Sequence, residues 1–236
     1  DLLAQASQGI NTVIITTFDD AFWGLSAFGA ELFDEQENLV LDQDGFAEWL
    51  NWLKIASGRP QFYMENDREG LYRLFESGKA AYYVGQLEEF DSLQQTLGEE
   101  VVGAAPLPDG PNGPAGPLLR TEAMMFNPYS APAQTEAALS LAQFLASTGS
   151  QNKLSRDERI NRVPANRWTR IDARVHPAIA AFRSQARSAV PVPNLPQIDE
   201  LWQYGDEAYI EVLSGISTPD EAATKLVEQI NAANGF

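Results

Sequence analysis

The chain has 236 residues, with 33 acidic against 16 basic side chains and a formal charge of −17, which makes nucleic-acid phosphate an unsuitable partner. It contains no cysteine and one histidine, His176, so disulfides, thiolate metal sites and cysteine nucleophiles are excluded, and a Ser-His-Asp triad has a single possible base. Hydrophobic content of 44% with 10% aromatics fits a globular chain able to bury a core, and no stretch approaches the ~18 apolar residues of a membrane span.

Residues 11–18 are β-branched and apolar and predict a buried strand. Asp19-Asp20 follow, then a helix over 21–33. A second helix is expected to start on Asp44 as its N-cap, with Phe46, Trp49, Leu50 and Leu53 on one face, and to stop at Gly58-Arg59-Pro60. A third, over 66–77, carries Leu71, Leu74 and Phe75 inward. Strands at 80–84 and 100–105 flank a helix at 88–97. Helices alternating with short apolar strands predict an α/β layered fold.

Between 106 and 117 stand five prolines and three glycines, a density that predicts a linker or surface loop. Residues 118–127 read as a strand and 135–147 as a helix with Ala138, Leu141, Ala142 and Leu145 inward. Residues 150–175 are polar and irregular, and His176 stands at the start of a helix in a capping or surface role. Ile198, Leu201, Trp202, Gly205, Ala208, Tyr209 and Val212 form an unbroken helical stripe. Thr218-Pro219-Asp220-Glu221 is a capping box opening a last helix, lined by Ala222, Leu226, Ile230 and Ala233 and stopped by Asn234-Gly235. The last two helices are expected to pack back onto the sheet of the first half.

A sugar site needs flat aromatic rings for the C–H face of a pyranose and carboxylates or amides for its hydroxyls. Phe18-Asp19-Asp20-Ala21-Phe22-Trp23 offers both at the C-terminal end of a strand, where open α/β sheets bind ligands. The same residues allow a plainer reading, with one aspartate capping a helix and Phe22 and Trp23 in the core. Trp202 is likewise either a ligand platform or a core residue. Gln86 and Glu88 are further polar candidates. Arg120 and Glu122 either meet an anionic or amino sugar or pair with each other at the surface. There is no metal motif, since Asp42-Gln43-Asp44-Gly45 lacks the other ligands of a calcium loop, and no phosphate-binding glycine loop.

One ordered series is more informative than any single motif: Phe75-Glu76-Ser77-Gly78-Lys79, Ala105-Pro106-Leu107-Pro108-Asp109-Gly110, a strand closing near Asn127, Arg162-Val163-Pro164-Ala165-Asn166, and Pro191-Val192-Pro193-Asn194-Leu195-Pro196-Gln197 ahead of Trp202. It resembles the later two-thirds of the extracellular solute-binding proteins of ABC sugar importers, in the branch that includes maltose-binding protein. The resemblance implies a periplasmic-binding-protein-like α/β lobe from residues 1–110 and 168–236, with 111–167 as linker and partial second lobe. It implies that the Asp19-Asp20 turn lines the ligand cleft and that Trp202 is an aromatic platform. Many relatives read Gly-Pro-Trp where this chain has Gly85-Gln86-Leu87, a departure that points to a smaller or more polar ligand than a long maltodextrin.

The function expected is therefore capture of a carbohydrate for uptake, without enzymatic activity or cofactor. The expected partners are that sugar and the ABC permease subunits. The expected location is periplasmic or extracellular, with a lipid anchor on an N-terminal part outside this sequence. Two alternatives remain: an isolated lobe acting as an interaction module with a second chain, and a glycosidase pairing Asp19 or Asp20 with Glu88. The family's N-terminal third has no counterpart here, so Leu141, Phe144 and Leu145 are expected to lack their usual partners. Weak or no sugar binding by this chain alone, and self-association through 118–166, follow from that.

Overall fold

The computed structural model describes residues 2–34, 36, 38–155, 157, 162–192 and 194–234. In chain order the elements are α1 (Leu2–Ala6), β1 (Thr12–Ile15), α2 (Gly24–Ala27), α3 (Gln43–Ser57), β2 (Phe62–Glu65), α4 (Arg68–Glu76), β3 (Tyr82–Tyr83), α5 (Leu87–Leu97), β4 (Leu118–Leu119), α6 (Pro132–Ala146), α7 (Thr148–Leu154), α8 (Pro177–Gln185), β5 (Val190–Pro191), α9 (Ile198–Leu213) and α10 (Pro219–Ala233). They divide into two compact units, the first of residues 1–84, 107–119 and 185–236, the second of 85–106 and 120–184.

The first unit is built on a parallel sheet in the order β2-β1-β3. Thr12 lies opposite Phe62 on one side of β1 and opposite Tyr82 on the other. Every residue of β1 is buried, as a central parallel strand requires. The two-residue alternation sends Ile14 into the main core and Val13 and Ile15 into a smaller one with Leu71 and Ala80. The main core is aromatic: Phe46, Trp49, Leu50 and Leu53 of α3 meet Phe18, Phe22, Tyr209, Leu226 and Ile230. Helix α10 packs on α3 and α9, so the last two helices reach the sheet through α3 and Ile14.

Several boundaries differ from expectation. The N-cap of α3 is Asp42, not Asp44; Asp42 has the extended backbone a cap requires, and its Oδ1 accepts the Gly45 N–H at 2.7 Å. The helix expected over 21–33 shrinks to α2. Gly29 adopts φ +80°, and the Ala30 N–H closes on the Leu25 carbonyl at 2.9 Å, which stops the helix. The chain then returns through an antiparallel bridge of Phe33 with Leu39. β2 carried no strong signal in its four residues, of which only Phe62 is buried. No strand forms at 100–105, where Val101 is exposed, and the run expected over 118–127 is a strand only at β4.

The compact units are also bounded differently from the expected lobes. The proline-rich segment is fastened to the first unit. The Asn112 and Gly116 N–H groups donate to the Ala27 and Trp23 carbonyls at 3.1 and 3.0 Å, and β4 pairs in parallel with β5. Gln185 holds the same segment, accepting from the Leu107 N–H at 2.7 Å and donating to the Ala115 carbonyl at 2.8 Å. Residues 168–184 belong instead to the second unit, where Arg183 Nη1 donates to the Thr169 carbonyl at 2.6 Å. His176 precedes α8, and its carbonyl accepts the Ala180 N–H at 3.1 Å.

The junction of α9 and α10 is a charge-dependent clasp. Lys225 Nζ donates to Glu211 Oε1 at 2.6 Å, and Ser217 Oγ donates to Glu211 Oε2 at 3.0 Å. In the capping box, the Thr218 N–H donates to Glu221 Oε2 at 2.9 Å. These bonds hold both carboxyls below their ordinary value of 4.5; Lys225 is the main cause for Glu211 and the Thr218 backbone N–H for Glu221. A carboxyl lowered by folding adds stability that is complete above its unfolded value and is lost as the pH falls through the folded one. Melting temperature should thus fall on acidification below about pH 4.5, and Glu211→Gln should melt lower than wild type at pH 7 with a shallower acid dependence. Equal acid slopes in the two proteins would remove Glu211 from the clasp.

Candidate functional site

The turn that follows β1 is built from local hydrogen bonds. Thr17 Oγ1 donates to Asp20 Oδ2 at 2.8 Å and accepts the Asp20 N–H at 3.1 Å. The guanidinium of Arg68, the first residue of α4, pairs with Asp20 Oδ1. Asp20 is therefore occupied in holding the turn together, while Asp19 sits half-buried beside it.

Phe22 and Trp23 are core residues: at 1% and 4% exposure neither offers a face to a ligand, which corrects the expectation that they touch one. Their rings serve as backing. Phe22 lies edge-on to Trp202 at 6.2 Å between centroids, and Trp23 packs on Trp49 at 5.0 Å. Trp202 itself is half-buried on α9, with its ring tilted against Phe18 at 5.6 Å. It keeps an outward part on a rigid aromatic floor, and Phe18 in that floor adjoins the Asp19-Asp20 turn. The Pro-rich approach to α9 forms a shallow surface hollow lined by Val192, Asn194, Leu195, Pro196, Ile198 and Asp199.

The other expected site residues belong to the second unit. Gln86 is the N-cap of α5, its backbone N–H donating to Glu89 Oε2 at 2.8 Å. Leu87, where relatives were expected to show an aromatic, is buried. Glu122 pairs at the surface with Arg162, whose other nitrogen meets Glu88; both contacts are 2.9 Å. These side chains are 47–78% exposed, so the bridge adds little stability. Arg120 is exposed on the same unit. Among the described residues no group of three or more His, Cys, Asp or Glu is disposed to hold a metal ion, and no helix is long and apolar enough to cross a membrane.

Sequence reasoning missed Arg68, Arg162 and Asp206. Arg68 had one weak signal, its place after the capping Asp67. Arg162 stood only in the Arg162-Val163-Pro164-Ala165-Asn166 series, which gave no hint of its ion pairs, and Asp206, which acts on a residue distant in sequence, had no signal.

The family model for bacterial extracellular solute-binding proteins matches residues 1–168. The chain belongs to that family. A maltodextrin-binding protein of Bacillus subtilis is 26% identical over 163 residues, which is 68% of this chain and 38% of that protein. A galactooligosaccharide-binding protein of the same organism is 33% identical over 95 residues, 39% of this chain and 22% of that one. Among solved structures, the maltose complex of MalE from Listeria monocytogenes has a TM-score of 0.76 at 20% identity, covering 98% of this chain and 63% of its own. The maltose-maltodextrin binding protein of Alicyclobacillus acidocaldarius has a TM-score of 0.73 at 23% identity, covering 97% and 64%. At these identities the solved structures establish the fold, which is that of the periplasmic binding proteins. The match spans well under half the length of these curated relatives.

Proposed function

We propose that the protein captures a carbohydrate at the Trp202 and Asp19-Asp20 surface of its first unit and delivers it to the permease of an ABC importer. The observation that carries this reading is the Trp202 ring, partly exposed and braced by Phe18, the residue that precedes the acidic turn, and by Phe22. A flat ring held rigid is what a pyranose face stacks on, and the neighbouring carboxylate supplies a hydroxyl acceptor. The names of the relatives support an oligosaccharide ligand of the maltodextrin or galactooligosaccharide kind. Buried Leu87 in place of an aromatic favours a short one. Gln86, Arg120 and Glu122 are proposed as polar sugar-contacting candidates of the second unit, taken by itself. The role is binding without chemistry, in a periplasmic or extracellular setting, with a lipid anchor on an N-terminal part.

Calorimetry or tryptophan fluorescence with maltotriose and a galactooligosaccharide tests the reading. Trp202→Ala should raise Kd by more than tenfold, about 1.4 kcal/mol, and leave the protein folded. Unchanged affinity would return Trp202 to the core, as would loss of the fold. Release of shorter sugars during incubation would turn the reading toward a glycosidase.

A second reading, an interaction module that associates through the second unit, is favoured by one observation. Helix α6 has no buried residue along its 15 positions.

A further inference from the structure

Helix α9 does more than present Trp202. The Phe18 ring and backbone are fully buried, and Phe18 lies beyond the end of β1, so its N–H has no place in the sheet ladder. A buried N–H without an acceptor is costly. Asp206 Oδ1 supplies that acceptor at 2.7 Å from a position 188 residues away. One turn before it on the same helix is Trp202, so the two side chains share a side of α9. Between them, Gly205 lets the helix backbone lie directly on the Phe18 ring, where a Cβ would come within 2.3 Å of the ring carbons. One turn further on, the buried Tyr209 hydroxyl accepts from Trp49 Nε1 at 2.8 Å and donates to the Ala21 carbonyl at 3.4 Å. The turn is thus held by α9 at Phe18 and again at Ala21, with Asp19 and Asp20 between the two anchors.

We propose that Asp206 is a positioning residue of the carbohydrate site, fixing the Asp19-Asp20 turn against the Trp202 ring through the Phe18 N–H. This rests on the carbohydrate reading of that surface. The acceptor oxygen, not the charge, is what the Phe18 N–H requires. Losing it frees one end of the turn while Trp202 stays on its helix. A binding site loosened by about 1 Å loses affinity out of proportion to the stability lost.

The test compares wild type with Asp206→Ala, Asp206→Asn and Thr218→Ala, the last removing the remote cap of α10 as a stability control. Two readouts are taken: affinity for maltotriose, and amide exchange of residues 17–21 without sugar. Asp206→Ala should weaken binding about tenfold or more and speed exchange across the turn. Asp206→Asn, which keeps an Oδ1 acceptor, should restore both. Thr218→Ala should lower the melting temperature and change neither. Wild-type binding in Asp206→Ala, or equal losses in all three variants, would overturn the proposal, as would failure of Asp206→Asn to rescue. If wild type binds no sugar, the carbohydrate reading falls, and the exchange readout alone decides whether Asp206 holds the turn.

Discussion

Removing residues 215–236 should abolish cooperative melting of the first unit. The deleted helix α10 contributes Leu226 and Ile230, both buried against α3 and α9, together with Ala222 and Ala223. At roughly 1.5–3 kcal/mol for each large side chain, the first two alone supply about 3–6 kcal/mol. That is comparable with the whole stability of a typical domain, about 5–15 kcal/mol. Polar ties go with them: Asn234 Nδ2 donates to the Leu39 carbonyl at 2.8 Å, and Gln43 Nε2 to Thr224 Oγ1 at 2.9 Å. The milder Leu226→Ala should cost about 2–5 kcal/mol by leaving a cavity in the same core. Circular dichroism melts of the three proteins would show this ranking. A truncated chain that melts at the wild-type temperature would mean that α10 is not part of the first unit's core.

The two C-terminal helices were legible because their signals are local. The stripe of α9 repeats every three to four residues, and Thr218 with Glu221 closes a capping box that needs no distant partner. β1 was legible because a fully buried parallel strand is apolar without alternation. Strands at 100–105 and 118–127 were over-read for the opposite reason. An apolar run becomes a strand only where another strand accepts its hydrogen bonds, and composition does not reveal that neighbour. The α3 cap was misplaced because Asp42 and Asp44 stand two residues apart with equal capping chemistry, and backbone geometry decides between them.

At the candidate site, the acidic turn and Trp202 stand out by residue type alone, as candidates. Which of Phe18, Phe22 and Trp23 faces inward could not, because a tight turn has no fixed period; all three proved to be buried. Arg68 and Asp206 reach the turn across 48 and 188 residues, beyond any window of local sequence.

The purified chain should self-associate in solution through its second unit. Helix α6 is 15 residues long, a length at which an isolated helix is marginal in water and depends on packing one face. The face expected to be inward is not covered: Leu141 is 56% exposed, and Ala142 and Leu145 are only half-buried; Phe144, also expected to lack its partners, is 65% exposed. The run before it leaves Met124, Met125 and Phe126 exposed, Met125 by 92%, in a stretch that joins no ladder. Apolar side chains displayed together with an open backbone edge are what neighbouring chains cover, at a gain of roughly 25 cal/mol per Å² removed from water. In a solution of this chain alone, the only polypeptide available to cover them is a second copy. Light scattering should therefore give a mass above the 25.9 kDa monomer, rising with concentration. Leu141→Glu combined with Phe144→Glu should return the mass toward the monomer without lowering the melting temperature, because α6 buries no side chain that the changes could remove. A mass of 25.9 kDa at every concentration would show that this surface stays uncovered in water, and would remove the interaction-module reading with it.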